Sequence, residues 1–417
     1  MSHDEYDIVR TNPGAESSVA SQPRNETADI AGVFTHSSEP DSRMLHPQLR
    51  RLLAGTPPDQ TRVERFFSRN RFPLIEREAV TFVFHGEAEA VFLRHFMHGI
   101  PNGTPFARAS NAHLWYLRLR LPPATRFEYK LDVVRGGEGA WINDPQNPVV
   151  ATDPFGANSV GHSFGYAPPP WTRPDPNTPA GRIEELAIDS RAFAGPRRLR
   201  VYIPAGFVDK RIYPLVIIHD GEDYVAHADL TTSLDNLIHR GELPPFIAVL
   251  TQSPERNGEY TGDPRHSDFL TSEVLPVVRE RFPLRRDPGG TVLMGASLGA
   301  VAALVTAFRY PGVYGALALK SGSFILDRSL IETRDPLFAR IADLLDEVRG
   351  DLARLPSRVF ISCGIYEGLI GQNRLLARLL SDQGDEVRLL ETRDAHHWQN
   401  WRDQLRDSLS WTLPRGE

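Results

Sequence analysis

The chain has 417 residues, of which 41% are hydrophobic and 24% are charged, the usual composition of a globular protein. This length is sufficient for two or three domains, each with its own core. The acidic N-terminus lacks the apolar run of a secretory signal, and no window approaches the ~18 consecutive apolar residues of a membrane span. The single cysteine, Cys363, excludes an internal disulfide framework. We therefore expect a cytoplasmic protein that does not span a membrane.

The formal net charge of −6 is concentrated in the first tenth of the chain. Residues 1–43 hold eight acidic residues against three arginines, so the remainder is nearly neutral. This balance gives no sign of a nucleic-acid partner. Because the same residues are rich in Ser, Glu, Asp and Pro and show little hydrophobic periodicity, we expect a disordered acidic tail over 1–43.

The next part of the chain predicts a small β-sandwich domain, which we place at residues 44–166. A short helix is predicted over Leu45–Leu53. Short alternating segments separated by Gly, Pro and Asn then predict strands. These strands are Val80–Phe84, Ala90–Leu93, Trp115–Leu119 and Arg126–Leu131.

Residues 167–179 contain six prolines in thirteen positions, which predicts a stiff linker over 167–180. From residue 181 to 417, unbroken apolar runs alternate with amphipathic stretches. The predicted strands are Leu215–Ile218, Phe246–Leu250, Thr291–Met294, Val359–Ile361 and Glu386–Glu391. The predicted helices cover residues 267–281, 299–309, 333–349, 371–382 and 398–409. This alternation is typical of an α/β domain with a mainly parallel sheet.

The motif Gly295-Ala296-Ser297-Leu298-Gly299 follows a predicted buried strand and opens a predicted helix. G-x-S-x-G in a strand–turn–helix context is the signature of a nucleophilic serine, because glycines permit the sharp turn that lifts the serine to the carboxyl edge of the sheet. We therefore assign Ser297 as the candidate nucleophile. The alternative is a tight helix N-cap at Ser297 with no chemical role.

The candidate bases are His396 and His397, the only histidines downstream of Ser297. They follow the last predicted strand, where this type of fold places its base. Adjacent side chains cannot both face Ser297, so we choose His396 and keep His397 as the alternative. Zinc ligation is not supported, since there is no H-E-x-x-H and no third ligand nearby; we expect no metal.

The candidate acid is Glu367, in the loop that follows the strand ending near Cys363. A carboxylate there would orient the imidazole and stabilise imidazolium. Asp394, in the same loop as the histidines, is the alternative. For the oxyanion hole we expect the amide of Leu298 together with that of Gly221 or Glu222, which follow the strand Leu215–Ile218.

An ordered set of motifs resembles the enterochelin (ferric enterobactin) esterases and their esterase-D-like relatives over roughly residues 60–412. In the C-terminal half the motifs are His219–Glu222, Arg256–Glu259, Glu273–Pro276, Gly295–Gly299, Ser321–Phe324, Glu367, Asn373-Arg374, His396–Trp398 and Trp401-Arg402. In the N-terminal half they are Trp115, Arg126–Tyr129 and Asp144–Pro148.

The resemblance implies an α/β-hydrolase domain preceded by an immunoglobulin-like domain, with no cofactor. It also implies hydrolysis of the trilactone ester bonds of a ferric catecholate siderophore in the cytoplasm. Ser297 matches the family nucleophile, His396 the base and Glu367 the acid, while Arg256 matches an arginine of the substrate pocket. A ferric tricatecholate is a trianion, which suits an arginine. The alternative for Arg256 is a salt bridge to Glu259.

Three other functions remain open from the sequence. A general carboxylesterase of the feruloyl or acetyl type would share the fold and the catalytic residues, and an acyltransferase would replace water with an alcohol. A non-catalytic glycan-binding protein would use Trp115, Trp141 and Trp171 as sugar platforms, although core or interface positions are the more usual ones for such residues.

Overall fold

The computed structural model describes residues 45–54, 58–100, 102–109, 113–330 and 336–414. The predicted disordered tail, 1–43, lies outside the described residues. The chain divides into two compact units. The first contains the described residues up to Ala167 together with Arg393–Ala395, and the second contains Pro168–Thr392 and the residues from His396 onward.

Two helices open the first unit: α1 (Pro47–Leu53) and α2 (Gln60–Arg69). Helix α2 begins after Asp59, whose Oδ1 accepts a hydrogen bond of 2.8 Å from the Arg62 amide. This side chain therefore satisfies one of the amides left unpaired at a helix N-terminus. The predicted helix Leu45–Leu53 is confirmed as α1, with its start two residues later, where Pro47 takes a first-turn position.

Two antiparallel sheets form the body of the first unit, and its strands are β1 (Leu74–Glu76), β2 (Ala79–His85), β3 (Ala90–His95), β4 (Thr104–Pro105), β5 (Ala107–Ala109), β6 (Leu114–Arg120), β7 (Arg126–Arg135), β8 (Glu138–Ile142), β9 (Val150–Asp153) and β10 (Gly156–His162). One sheet has the order β1-β2-β6-β5 and the other β4-β3-β7-β10-β9, with β8 also paired to β7. Phe82 of the first sheet packs on Tyr129 of the second with ring centroids 4.9 Å apart. The predicted β-sandwich is confirmed.

The second unit is built on one eight-stranded sheet, whose strands are β11 (Arg182–Ser190), β12 (Gly195–Ile203), β13 (Leu215–Ile218), β14 (Ile247–Thr251), β15 (Thr291–Ala296), β16 (Ala316–Lys320), β17 (Arg358–Gly364) and β18 (Glu386–Thr392). The spatial order is β11-β12-β14-β13-β15-β16-β17-β18. Strands β11 and β12 are antiparallel to each other and β12 is antiparallel to β14, whereas the remaining pairs are parallel. The predicted mainly parallel sheet is confirmed.

Apolar side chains cover both faces of this sheet. Along β13, Leu215 and Ile217 belong to one hydrophobic core, and Val216 and Ile218 belong to the other. Successive side chains of a strand point to opposite faces, so a strand with a core on each side needs an unbroken apolar run. This requirement explains why the predicted central strands coincide closely with the observed ones.

The connections of the second unit contain α3 (Gly221–His227), α4 (Leu230–His239), α5 (Arg256–Tyr260), α6 (Pro264–Asp268), α7 (Leu275–Arg281), α8 (Leu298–Arg309), α9 (Pro336–Gly350), α10 (Ile370–Gln383), α11 (Trp398–Asp403) and α12 (Leu405–Thr412). A π-helical segment, Phe269–Val274, joins α6 to α7 and continues the helical path predicted over 267–281. Among the described residues no helix is long and apolar enough to cross a membrane.

The proline-rich segment packs against α4. It contains a single 3-10 turn, Pro170–Thr172, in which Trp171 is buried. Asn236 Nδ2 donates hydrogen bonds of 2.8 Å to the carbonyl oxygens of Trp171 and Arg173. This amide fixes the segment to the helix.

Candidate active site

Ser297 lies in a sharp turn between β15 and α8. Its φ of 56° and ψ of −125° are strained for a residue with a side chain. A Cβ at Gly295 would collide with the carbonyl group of Gly299, so only glycine fits there. The turn therefore has the geometry of a nucleophile elbow, and helix α8 begins at Leu298, immediately after the serine.

His396 connects Ser297 to Glu367. Its Nε2 lies 3.0 Å from Ser297 Oγ, and its Nδ1 lies 2.7 Å from Glu367 Oε2. Because a carboxylate accepts the hydrogen bond at Nδ1, that nitrogen carries the proton and Nε2 presents a lone pair to the serine hydroxyl. The structure thus brings together the three residues chosen as nucleophile, base and acid.

His397 and Asp394, the alternatives for the base and the acid, have other neighbours. His397 occupies the position before α11, and the Ser297 hydroxyl donates its hydrogen bond to Nε2 of His396. Asp394 Oδ1 accepts a 2.8 Å hydrogen bond from the Ala395 amide and lies 3.5 Å from Arg126 Nη1, within the first unit. The geometry therefore favours His396 and Glu367 over these alternatives.

We expect His396→Ala to reduce kcat by nearly as much as loss of Ser297, because the two side chains act as one proton-transfer unit. The double variant Ser297→Ala/His396→Ala should be scarcely worse than either single one. His397→Ala is the matched control and should cause a mild loss. Steady-state kinetics on an aryl ester measures all four variants, and a severe loss in His397→Ala with a mild one in His396→Ala would exchange their roles.

The predicted oxyanion turn follows β13. A Cβ at Gly221 would collide with Leu250, so the chain passes closer to β14 than any other residue would allow. The Glu222 amide donates to Gln252 Oε1 at 3.3 Å. Because that amide already has an acceptor, Gly221 is the better of the two predicted donors to pair with Leu298.

Arg256 forms a buried ion pair with Asp220, the residue before Gly221. Its Nε and Nη2 donate hydrogen bonds of 2.9 Å each to the two carboxylate oxygens of Asp220. The alternative prediction of an Arg256–Glu259 salt bridge is wrong, since Glu259 pairs with Arg197 at 2.9 Å. The sequence places Glu259 three residues after Arg256, but helix α5 directs the two side chains to different partners.

Sequence reasoning missed the polar groups that surround the three residues. Ser323 Oγ lies 3.1 Å from Ser297 Oγ, and Ser321 Oγ donates a 2.7 Å hydrogen bond to Glu367 Oε1. Both serines lie in the stretch Ser321–Phe324, which contributed to the resemblance without carrying an assigned role. No local pattern distinguishes these serines, since their partners are distant in sequence.

Lys320 is fully buried at the end of β16, and its Nζ donates a 2.9 Å hydrogen bond to the Trp401 carbonyl oxygen. Burial lowers the pKa of this amine to about 7, although Asp407 and Asp403 partly oppose the shift. The sequence signal for this buried amine is a lysine at the end of an otherwise apolar strand. Within the described part of the chain, no group of three or more His, Cys, Asp or Glu side chains could hold a metal ion.

The chain is similar in sequence to several named esterases. An iron(III) enterobactin esterase from Escherichia coli O6:H1 is 25% identical over 275 residues, which are 64% of this chain and 66% of the relative. An acetyl esterase from Caldicellulosiruptor saccharolyticus is 22% identical over 179 residues, 38% of this chain and 65% of that protein. The chain therefore spans less than two thirds of the length of either relative.

The crystal structure of a ferric enterobactin esterase from Salmonella typhimurium superposes with a TM-score of 0.70 at 21% identity, covering 84% of this chain and 98% of that one. This likeness confirms the α/β-hydrolase fold class, and the predicted resemblance to the enterochelin esterases is confirmed with it. The family described as "Putative esterase" matches residues 190–412, more than half of the chain. The chain belongs to this esterase family.

Proposed function

We propose that the chain is a serine carboxylic-ester hydrolase that opens the trilactone of a ferric catecholate siderophore in the cytoplasm and thereby releases iron. The observation that carries the hydrolase assignment is the position of His396, within hydrogen-bond reach of both Ser297 and Glu367. The substrate assignment is supported by the similarity to the enterobactin esterases of Escherichia coli and Salmonella typhimurium.

In the first half of the proposed reaction, Ser297 Oγ attacks the ester carbonyl carbon while His396 Nε2 takes the hydroxyl proton. Glu367 stabilises the resulting imidazolium through Nδ1. The amides of Leu298 and Gly221 donate to the negative oxygen of the tetrahedral intermediate. The tetrahedral intermediate then collapses with cleavage of the ester C–O bond, and the imidazolium gives its proton to the departing oxygen, which becomes a hydroxyl group of the siderophore. An acyl-enzyme remains.

In the second half, water attacks the acyl-enzyme with the same histidine as base. Ser297 is regenerated when the imidazolium gives it the proton, and the product leaves as a carboxylic acid. One ester bond and one water are consumed in each cycle, so no cofactor is required.

The specificity constant kcat/KM tests the substrate proposal across ferric enterobactin, iron-free enterobactin, a glucosylated enterobactin and a neutral p-nitrophenyl ester. We expect the ferric catecholate trilactones to have the highest values. A neutral aryl ester turned over better than every trilactone would contradict the siderophore assignment while leaving the hydrolase assignment in place.

A general carboxylesterase is the second candidate, because an acetyl esterase also matches part of the chain. The catalytic geometry is equally suited to both, and the same panel of substrates separates them. An acyltransferase would be recognised by transfer to an added alcohol in place of hydrolysis. The non-catalytic glycan-binding alternative has lost two of its three platforms, since Trp115 and Trp171 are buried and only Trp141 is exposed.

For Arg256, we propose contact with the anionic substrate. Arg256→Ala should cost both substrate classes some activity, because Asp220 loses its buried partner. A contact with the catecholate anion should add a further rise in KM of about 10- to 100-fold on the ferric siderophore alone. The difference between the two substrates therefore measures the contact.

The measurement is kcat and KM of Arg256→Ala on ferric enterobactin and on a p-nitrophenyl ester. Arg197→Ala serves as the matched control, because it removes a guanidinium that pairs with Glu259 on the same helix as Arg256. Equal losses on both substrates in Arg256→Ala would mean that Arg256 has a structural role and does not contact the anion.

A further inference from the structure

A continuous series of hydrogen bonds ends at Oε1 of Glu367, the carboxylate oxygen that does not face His396. Trp401 Nε1 donates to Ser321 Oγ at 2.9 Å, and Ser321 Oγ donates to Glu367 Oε1 at 2.7 Å. The Gly364 amide donates to the same carboxylate oxygen, also at 2.7 Å. The other oxygen, Oε2, faces His396. Each carboxylate oxygen therefore has its own partners.

The groups in this series are buried and held by the backbone. Ser321 has a φ of 45°, and its amide donates to the Ser362 carbonyl oxygen at 2.6 Å. Ser321 and Glu367 are 0% and 1% exposed. With water excluded, hydrogen bonds to a carboxylate are stronger and the loss of one is more costly than at a surface.

Trp401 contacts the base as well as the serine. Its ring meets the His396 ring edge to face, with centroids 4.9 Å apart and an angle of 89° between the planes. Its carbonyl oxygen accepts the hydrogen bond from Lys320 Nζ. The Trp401 side chain therefore limits the movement of the His396 ring. It also orients the Ser321 hydroxyl group, which in turn orients the Glu367 carboxylate.

We propose that Ser321 and Trp401 are positioning residues for the hydrolysis, holding the Glu367 carboxylate in line with His396 and limiting the negative charge that it presents to the imidazole. The inference rests on the proposed function, because it assigns a role to residues that contact the proposed acid and base. Among the described residues, neither Ser321 nor Trp401 forms a hydrogen bond with Ser297, so their effect is expected in kcat and its pH dependence.

Removal of the Ser321 hydroxyl should move the pH profile of kcat/KM in a definite direction. Without the Ser321 hydroxyl, Glu367 Oε1 loses one of its donors and the carboxylate attracts a proton on His396 more strongly. The protonated, inactive imidazolium then persists to higher pH, so the acidic limb of the pH profile of kcat/KM moves upward.

The other titratable groups in this region come from β16, β17, α11 and α12. Burial and the Glu367 carboxylate raise the pKa of the Cys363 thiol well above its usual value, so it stays neutral. Burial lowers the pKa of Lys320 on β16 to about 7, and Asp407 on α12 and Asp403 on α11 partly oppose this shift. All four side chains are retained in the variants, so a difference between variants reports the altered hydrogen bond.

The experiment compares Ser321→Ala with Ser362→Ala on a neutral p-nitrophenyl ester between pH 5 and 9. Ser362 is the matched control, because its hydroxyl is also buried and has no hydrogen-bond partner among the described residues. For Ser321→Ala we expect kcat to fall about 10-fold, KM to stay unchanged and the acidic midpoint to rise by roughly half a pH unit. Ser362→Ala should keep the wild-type midpoint.

Trp401→Phe is the second variant. It retains a ring against His396 and removes the Nε1–H donor, so we expect a smaller shift in the same direction. If Ser321→Ala fails to fold, Trp401→Phe alone tests the proposal. A wild-type midpoint and kcat in either folded variant overturns the proposal, as does a change confined to KM. If the wild-type protein hydrolyses no ester, or if Ser297→Ala retains activity, the proposed function itself fails, which is a separate outcome.

Discussion

Replacing Ser297 with alanine should lower kcat for ester hydrolysis by a factor on the order of 10⁴ or more. The side chain is small and its strained backbone is imposed by the turn between β15 and α8, so the fold should persist. The large effect is expected because no acyl-enzyme forms without the hydroxyl. Single-turnover and steady-state assays with a p-nitrophenyl ester measure it, with circular dichroism and thermal unfolding as the check on folding.

Ser323→Ala is the matched control for this variant. It removes a hydroxyl 3.1 Å from Ser297 Oγ but leaves the nucleophile and His396 in place. Its loss should stay within about 10-fold, the value of one hydrogen bond. More than a few per cent of activity remaining in Ser297→Ala would remove this serine from the mechanism, and a loss in Ser323→Ala equal to that in Ser297→Ala would contradict the assignment of the nucleophile.

Glu367→Gln should reduce kcat by a factor on the order of 10⁴. The amide nitrogen of glutamine can donate to His396 Nδ1, which favours the tautomer with its proton on Nε2. That tautomer has no lone pair facing Ser297 Oγ and cannot accept its proton. The substitution is nearly isosteric, so a large loss would report the tautomer and the missing charge more than a change in packing.

Asp394→Asn is the matched comparison, because it tests the alternative acid with the same chemical change. Asp394 lies beside Arg126, and Glu128 would remain as a partner for that guanidinium at 2.7 Å. We expect less than about a 10-fold loss in kcat. A severe loss in Asp394→Asn together with a mild one in Glu367→Gln would transfer the acid role to Asp394.

The elements predicted best are those whose sequence requirements are local. The strands β13 and β15 need unbroken apolar runs because both of their faces are covered, and the elbow needs glycine because Gly295 meets the backbone of Gly299. Either requirement can be recognised from a few adjacent residues. The α/β-hydrolase fold places its base after the last strand, so the position of His396 after β18 could also be predicted.

Elements whose stability depends on distant partners could not be predicted in the same way. Strands β11 and β12 have exposed and half-buried positions, so they lack the continuous apolar signal of the central strands. The short helices α3 and α4 also escaped prediction. Helix α3 begins at Gly221, where close packing on Leu250 decides the residue type.

The polar contacts show the same limitation. Arg256 pairs with Asp220 from 36 positions away, although Glu259 is the nearer carboxylate in sequence. Ser321 reaches Glu367 across 46 positions and Trp401 across 80 positions. Such partners are brought together by the order of the parallel strands, which a single sequence does not reveal.

The central claim is that Ser297 is an activated nucleophile, and covalent labelling tests it most directly. The 417-residue protein would be treated with a fluorophosphonate probe, digested, and examined by peptide mass spectrometry to locate the adduct. The account predicts stoichiometric labelling of Ser297, which His396→Ala would suppress and Ser362→Ala would not. A protein that remains unlabelled, or an adduct on another residue that persists in Ser297→Ala, would contradict it.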